Sequence, residues 1–220
     1  LYAKHLQGMV RFPTVSNADP EKVDWETFLG LHKYLEETYP LVHKTLTKEV
    51  FGKVGLLYHW KGTGKSGKLP LMLTAHQDVV PEGDHSMWKY PPYEGVIAEG
   101  CVWGRGSSDC KSNILEALIA DGFVPDYDIY LGFGYNEEIM GGPGAAGTIL
   151  VDLLKSRGVE IGLELDEGGG IDQQGGQYVA QIYPAEKGYA DFEFSMKDPG
   201  GHSSQPGEHS SLGIIGKTAC

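Results

Sequence analysis

Residues 69–84 read LPLMLTAHQDVVPEGD. The apolar run Leu71-Met72-Leu73-Thr74 is bounded by turn formers, and four to eight such residues predict a buried strand. Just past its end stand an imidazole, His76, and a carboxylate, Asp78, two residues apart. In open α/β sheets ligands collect at the carboxyl ends of the strands. At such a place His76 is a candidate metal ligand, with Asp78 behind it accepting the proton of the other ring nitrogen. By itself a His-x-Asp tripeptide is more often an ordinary strand-end histidine steadied by a carboxylate. Its reading therefore depends on the rest of the chain.

Two further apolar runs end in the same way. Asp128 to Gly134 predicts a strand that leads into Tyr135-Asn136-Glu137-Glu138, then into a glycine-rich stretch and a helix from Ala145 to Arg157. Ile161 to Leu165 predicts a third core strand, ending in Asp166-Glu167 and three glycines. Adjacent carboxylates are usually just solvated. Three strand ends carrying His76/Asp78, Glu137/Glu138 and Asp166/Glu167 are hard to assign to chance. Strands alternating with helices predict an α/β fold with a mainly parallel, doubly wound sheet, whose strand ends share one edge.

Between these strands lies VWGRGSSDCKSN, residues 102–113. Gly104 and Gly106 flank Arg105, and Asp109 closes the turn before a short helix expected from Ser112 to Ala120. A carboxylate there is favoured by the helix N-terminus, and taken alone Asp109 reads first as a plain cap. Toward the N-terminus, Tyr2, Leu6, Met9 and Val10 share a helical face that ends before Pro13. Asp19-Pro20 predicts a cap with Pro in the first turn, and Trp25, Phe28, Leu29, His32 and Leu35 continue at helical spacing to Tyr39. His32 lies on that apolar stripe and reads as a packed core histidine. Thr45–Phe51 and Val54–Trp60 predict a hairpin about Gly52-Lys53, and Gly95–Trp103 another. The GTGKSGK string within 61–68 fails the phosphate-loop spacing, and a strand rather than a helix follows it.

Composition narrows the class. The chain has 220 residues, 40% hydrophobic and 22% charged, ordinary values for a globular protein with a buried core. The 32 glycines cluster beside acidic and histidine positions, which points to tight loops around a site. A net charge of −12 argues against sequence-independent binding of nucleic acid. Cys101, Cys110 and Cys220 show neither C-x-x-C spacing nor a disulfide framework. No apolar run is long enough for a membrane span, and the first residues lack the apolar core of a signal peptide, so a cytoplasmic protein is expected. The absence of an initiator Met and the abrupt end at Cys220 read as a piece of a longer reading frame.

One histidine and several carboxylates without clustered cysteine suit a divalent ion, zinc first, with manganese or cobalt behind it. An Asp in a constrained turn can bridge two ions about 3.5–4 Å apart, as two-metal hydrolases require. A neighbouring carboxylate that is not a ligand can take the proton of the bridging water. A Glu-Glu pair serves both needs, because neighbouring side chains of an extended segment point to opposite sides.

The stretches 71–81 (LMLTAHQDVVP), 102–113 (VWGRGSSDCKSN), 132–142 (GFGYNEEIMGG), 163–169 (LELDEGG) and 200–206 (GGHSSQP) resemble, in order, the signatures of one family. It is the co-catalytic zinc amidohydrolases that include aminoacylase, carboxypeptidase S, glutamate carboxypeptidase and succinyl-diaminopimelate desuccinylase. VWGRGSSD and the preceding WKYPPYEG look closest to the carboxypeptidase S branch. The resemblance implies a mainly parallel zinc-exopeptidase-type sheet flanked by helices over residues 1–184. From residue 185 to 220 it implies the beginning of a smaller α+β lid and dimerisation domain, entered by a strand over 185–204. It implies that His76, Asp109 and Asp166 hold a first zinc ion, and that Asp109 bridges to a second ion held also by Glu138. Glu137 would be the general base and then the acid, Asp78 would orient His76, and His202 would reach a partner subunit's site to stabilise the oxyanion. The implied substrate is a short peptide or an N-acyl amino acid, and the implied partner a second copy of the chain, with no nucleic acid or membrane. A cis peptide after Asp109 is implied as well.

Two departures from the family pattern accompany the resemblance. The last histidine ligand of the second ion, which the family takes from far downstream, is absent, so a weak or empty second site is expected. The helix after Asp109 is short. Cys110, beside the bridging Asp, is a further thiol within reach of a metal. These departures support an alternative, a truncated and inactive member that binds metal or a partner without turnover.

Overall fold

The computed structural model describes residues 1–109, 111, 124–139, 144–185, 188, 190, 192–197, 200 and 211–219. The chain forms two compact units, Leu1–Gly168 and Gly169–Cys220. In the first, α1 (Tyr2–Val10), α2 (Trp25–Thr38) and α3 (Pro40–Thr45) precede a five-stranded sheet. The sheet comprises β1 (Thr47–Phe51), β2 (Gly55–Trp60), β3 (Leu71–His76), β6 (Ile129–Gly134) and β7 (Leu163–Leu165). A small hairpin, β4 (Val96–Ala98) with β5 (Cys101–Trp103), lies between β3 and β6 in the chain, and α4 (Ala146–Ser156) joins β6 to β7.

The spatial order is β1-β2-β6-β3-β7. β2 runs antiparallel to both neighbours, while β6, β3 and β7 are parallel, so every strand but β2 points the same way. The mainly parallel α/β sheet expected from the alternation of strands and helices is therefore present. In the β3–β6 register His76 faces Gly134, so both strands end at the same level.

Alternation along the central strands divides the core into two faces. Leu56, Tyr58, Leu131 and Phe133 pack with Met9, Leu31, Leu35 and Val42 from α1, α2 and α3. Leu57, Met72 and Tyr130 pack with Leu150 and Leu154 of α4 on the other face. Gly132 permits this approach: a Cβ there would lie 2.4 Å from Met72 Cε and 2.6 Å from Leu150 Cδ2.

Local chemistry sets the element boundaries. Asp19 caps only a short 3-10 turn, Pro20–Lys22. The long helix starts at Trp25, where Asp24 accepts hydrogen bonds from the Thr27 amide and the Thr27 hydroxyl. In the second unit β8 (Gly170–Gln174) and β9 (Gln177–Gln181) form a hairpin through Gly175-Gly176, both at positive φ, followed by α5 (Ser211–Ala219). The strand expected over 185–204 is not formed at the described positions 192–197. Phe192, Phe194 and Met196 alternate there as a strand would, but they are exposed, and alternation yields a strand only where a neighbour supplies the ladder. The helix expected over 112–120, Cys110 and His202 lie outside the described residues. Among the described residues no helix is long and apolar enough to cross a membrane.

Candidate metal centre

β3 delivers His76 to the end of the sheet, where the residue is 2% exposed. Its Nδ1 lies 2.9 Å from the backbone carbonyl of Asp78 and 3.3 Å from Asp78 Oδ1. A proton on Nδ1 satisfies both, which turns Nε2 outward as the atom that could ligate a metal. Around Nε2 stand Asp109 Oδ1 at 3.1 Å, Glu167 Oε1 at 3.3 Å and Glu137 Oε2 at 3.7 Å.

Two overlapping groups, His76 with Asp109 and Glu167, and His76 with Glu137 and Glu138, each bring three donor atoms within 4.8 Å of one another. One imidazole ringed by carboxylates fits a divalent ion by donor chemistry. The electrostatics agree. Burial by itself would lower the His76 pKa, but hydrogen bonding to Asp78 and Glu167, and their charge, raise it to about 11. A cation is strongly favoured at this point.

Asp78 does more than orient the imidazole. It is fully buried, its Oδ1 accepts the Glu137 amide at 3.1 Å, and its Oδ2 accepts the Glu138 amide at 3.2 Å. One carboxylate thus ties the end of β3 to the 3-10 turn Glu137–Ile139 that follows β6. Burial would raise its pKa, but the contacts with His76, Ser16 and the Glu137 amide together outweigh that and hold it below the ordinary range. Glu137 and Glu138 are both shifted upward, first by burial, which the charge on His76 partly opposes. Asn136 anchors the same turn from behind: its Oδ1 accepts the Ala146 amide of α4 at 2.8 Å, and its Nδ2 donates to the Gly144 carbonyl at 3.3 Å.

The third expected segment arrives with a different residue in front. Glu167 lies within ligand distance of His76, whereas Asp166 is exposed and its Oδ1 accepts the amide of Glu167 at 2.9 Å. β7 ends at Leu165, so strand alternation no longer dictates which of the two carboxylates points at the centre. The Asp109 side chain is 70% exposed, on a turn held by the glycines that flank Arg105. A Cβ on Gly104, at φ +152°, would lie 2.8 Å from the Pro92 carbonyl oxygen, and the Arg105 amide donates to that same carbonyl at 2.7 Å. Arg105 Nη2 also donates to the Pro81 carbonyl at 3.2 Å, which joins the turn to the segment after Asp78.

Sequence reasoning passed over three buried polar residues behind the centre. Gln77 is fully buried, and its Nε2 donates to the carbonyls of Val54 at 2.9 Å and Phe133 at 3.1 Å, while its Oε1 accepts from His32 Nε2 at 2.7 Å. His32 is thus the packed core residue its place on the apolar stripe implied. Thr14 and Lys111 are also fully buried. Nothing in their sequence setting marks them, because a lysine between cysteine and serine looks like a surface residue.

Residues 72–207 match the sequence pattern of peptidase family M20/M25/M40. The chain is similar to carboxypeptidase S of Saccharomyces cerevisiae, 41% identical over 227 residues, covering 95% of this chain and 39% of that protein. It is also similar to the N-fatty-acyl-amino acid synthase/hydrolase PM20D1 of Xenopus tropicalis, 34% identical over 222 residues, covering 96% of this chain and 42% of that one. The chain therefore spans about two fifths of the length of these relatives. In fold it is similar to the M20 family metallo-carboxypeptidase Sso-CP2 from Sulfolobus solfataricus, with a TM-score of 0.54, 19% identity, and coverage of 77% of this chain and 38% of that one. Human carnosine dipeptidase 1 matches with a TM-score of 0.55, 17% identity, and coverage of 75% and 38%. The ordered sequence match over most of the chain and the parallel strands that end in one carboxylate-ringed histidine agree: this chain belongs to peptidase family M20/M25/M40.

Proposed function

We propose that this chain carries the metal-binding core of a hydrolase that cleaves the amide bond of short peptides or N-acyl amino acids. The observation that carries the reading is the convergence of Asp109, Glu137 and Glu167 on the single outward nitrogen of buried His76. The names of the relatives, a carboxypeptidase and an N-fatty-acyl-amino acid synthase/hydrolase, support an amide next to an amino-acid carboxylate as the bond attacked. His76, Asp109 and Glu167 would hold one ion, and Asp109 with Glu138 would hold the second. Zinc is the proposed metal, with manganese or cobalt as substitutes. Bound there, the metal supplies Lewis acidity toward water and toward the amide carbonyl.

The chain's own residues do the rest. Asp78 keeps the proton on His76 Nδ1 and fixes the backbone of the Glu137–Glu138 turn. Glu137, half exposed beside the donor cluster, accepts a proton from the attacking water at its carboxylate and passes it to the leaving nitrogen. The GGHSS motif supports a role for His202 as the oxyanion contact reaching across a homodimer, with the lid domain beginning near residue 185. In the full-length protein, Glu137→Gln should lower kcat on a panel of dipeptides and N-acyl amino acids by about 10²–10⁴-fold with metal content unchanged. Unchanged turnover in that variant would overturn the assignment.

A further inference from the structure

Lys111 is 1% exposed, it contributes no donor atom to the clusters around His76, and the charge of Asp78 favours its protonated form. Burying a lysine is expensive unless its N–H groups are well used. Here its Nζ donates to the Phe12 carbonyl at 3.0 Å and to Thr14 Oγ1 at 2.9 Å. Thr14 Oγ1 in turn donates at 2.6 Å to the backbone carbonyl of Gln77, the residue between His76 and Asp78. The same segment is stitched alongside that turn: the Val79 amide donates to the Thr14 carbonyl at 3.0 Å, and the Ser16 amide donates to the Val79 carbonyl at 3.3 Å.

The two sides of the centre differ in how firmly they are held. The His76–Asp78 turn is bolted to the sheet by the Gln77 side chain and by the Gln77 amide, which donates to the Gly134 carbonyl at 2.9 Å. Asp109 sits on an exposed turn, and its carboxylate must still meet His76 Nε2 from a segment 33 residues away. Lys111 follows Asp109 by two residues, and its own amide donates back into that turn, to the Gly106 carbonyl at 3.2 Å.

We propose that Lys111 and Thr14 form a strut linking the Asp109 turn to the His76–Asp78 turn, which makes both of them positioning residues for the metal centre. The strut needs two N–H donors on Nζ and one hydroxyl that accepts from Lys111 while it donates to Gln77, and either charge state of the amine provides the donors. The two ligand segments are thereby held at a fixed separation before any ion arrives, which is the service that outer-shell groups give a metal site. The inference rests on the metal-centre reading above.

The test uses the full-length protein with zinc, competed against a chelator, alongside steady-state kinetics and the absorption spectrum of the cobalt-substituted protein. Lys111→Met fills the cavity without donors, and Thr14→Val keeps the shape without the hydroxyl. Each should lower zinc affinity or kcat by about 10–100-fold and alter the cobalt spectrum, with KM nearly unchanged. Thr14→Ser, which keeps the hydroxyl, should restore wild-type values. The double variant should be no worse than the more damaging single, because both substitutions cut one path. Folded variants with wild-type zinc affinity, cobalt spectrum and kcat would overturn the strut while the metal-centre reading stands, and so would simple additivity in the double variant. A wild-type protein that binds no zinc would overturn both. Should Lys111→Met fail to fold, the contrast between Thr14→Val and Thr14→Ser decides the matter.

Discussion

His76 concentrates the chemistry of this protein in one side chain. Its Nδ1 is committed to Asp78, and its Nε2 faces acidic groups from three different segments. The orientation of neighbouring carboxylates then sets which of them faces His76, and at residues 166 and 167 it is Glu167 that does. Glu167→Gln should weaken zinc binding by about 10–100-fold in chelator competition, whereas Asp166→Asn should leave it within a small factor. The opposite ranking would return the ligand role to Asp166. This is where sequence reading reached its limit at the residue scale. That His76, Asp78, Asp109, Glu137 and Glu138 gather at one edge was legible because strand ends and a glycine-flanked turn present them. Which of Asp166 and Glu167 faces His76 was not, because it depends on one backbone turn beyond the last paired residue of β7. Gln77, Thr14 and Lys111 were illegible for another reason: polar residues give no periodic signal, and only the folded chain shows that they are buried.

At the scale of elements, the sheet was readable from its apolar runs: β2 and β6 are buried on both faces, although β7, expected as a core strand, is an edge strand exposed at all its positions. The β8–β9 hairpin carried a readable signal in Gly175-Gly176 that was passed over in favour of the acidic residues before it. Two predictions belong here. The turn bearing Asp109 depends on the close approach of Gly104 to Pro92, so Gly104→Ala should destabilise the protein by about 1–3 kcal/mol in urea unfolding and weaken metal binding with it. A stable variant with full metal affinity would show that the turn tolerates a Cβ. The second concerns α2, whose His32 meets the sheet through Gln77. Burial lowers the His32 pKa below 6.5, so the folded state keeps it neutral while the unfolded chain takes up a proton first. Its contribution is complete above 6.5 and is lost as pH falls through the lower folded value. The unfolding free energy of the wild type should therefore fall more steeply as pH drops below 6.5 than that of His32→Gln, which keeps an N–H donor without titrating there. Equal slopes would remove His32 from the pH response.

At the scale of the whole molecule, family membership and the sheet agree on where chemistry is placed: at the carboxyl ends of parallel strands, on segments far apart in sequence. An acidic chain of net charge −12 gathers several of its carboxylates around one buried imidazole, an arrangement that repels itself until a cation fills it. Metal and fold are thereby linked, and an ion present at about 100 times its dissociation constant adds about 2.7 kcal/mol to stability. The most direct measurement is the metal content of the purified protein by elemental analysis, set beside its melting temperature before and after chelation and beside the same data for Asp109→Ala. The account predicts bound divalent metal, a lower melting temperature once it is chelated, and loss of both the metal and the shift in Asp109→Ala. A protein that purifies without metal, takes up none when zinc is supplied, and melts at the same temperature with and without chelator would contradict it.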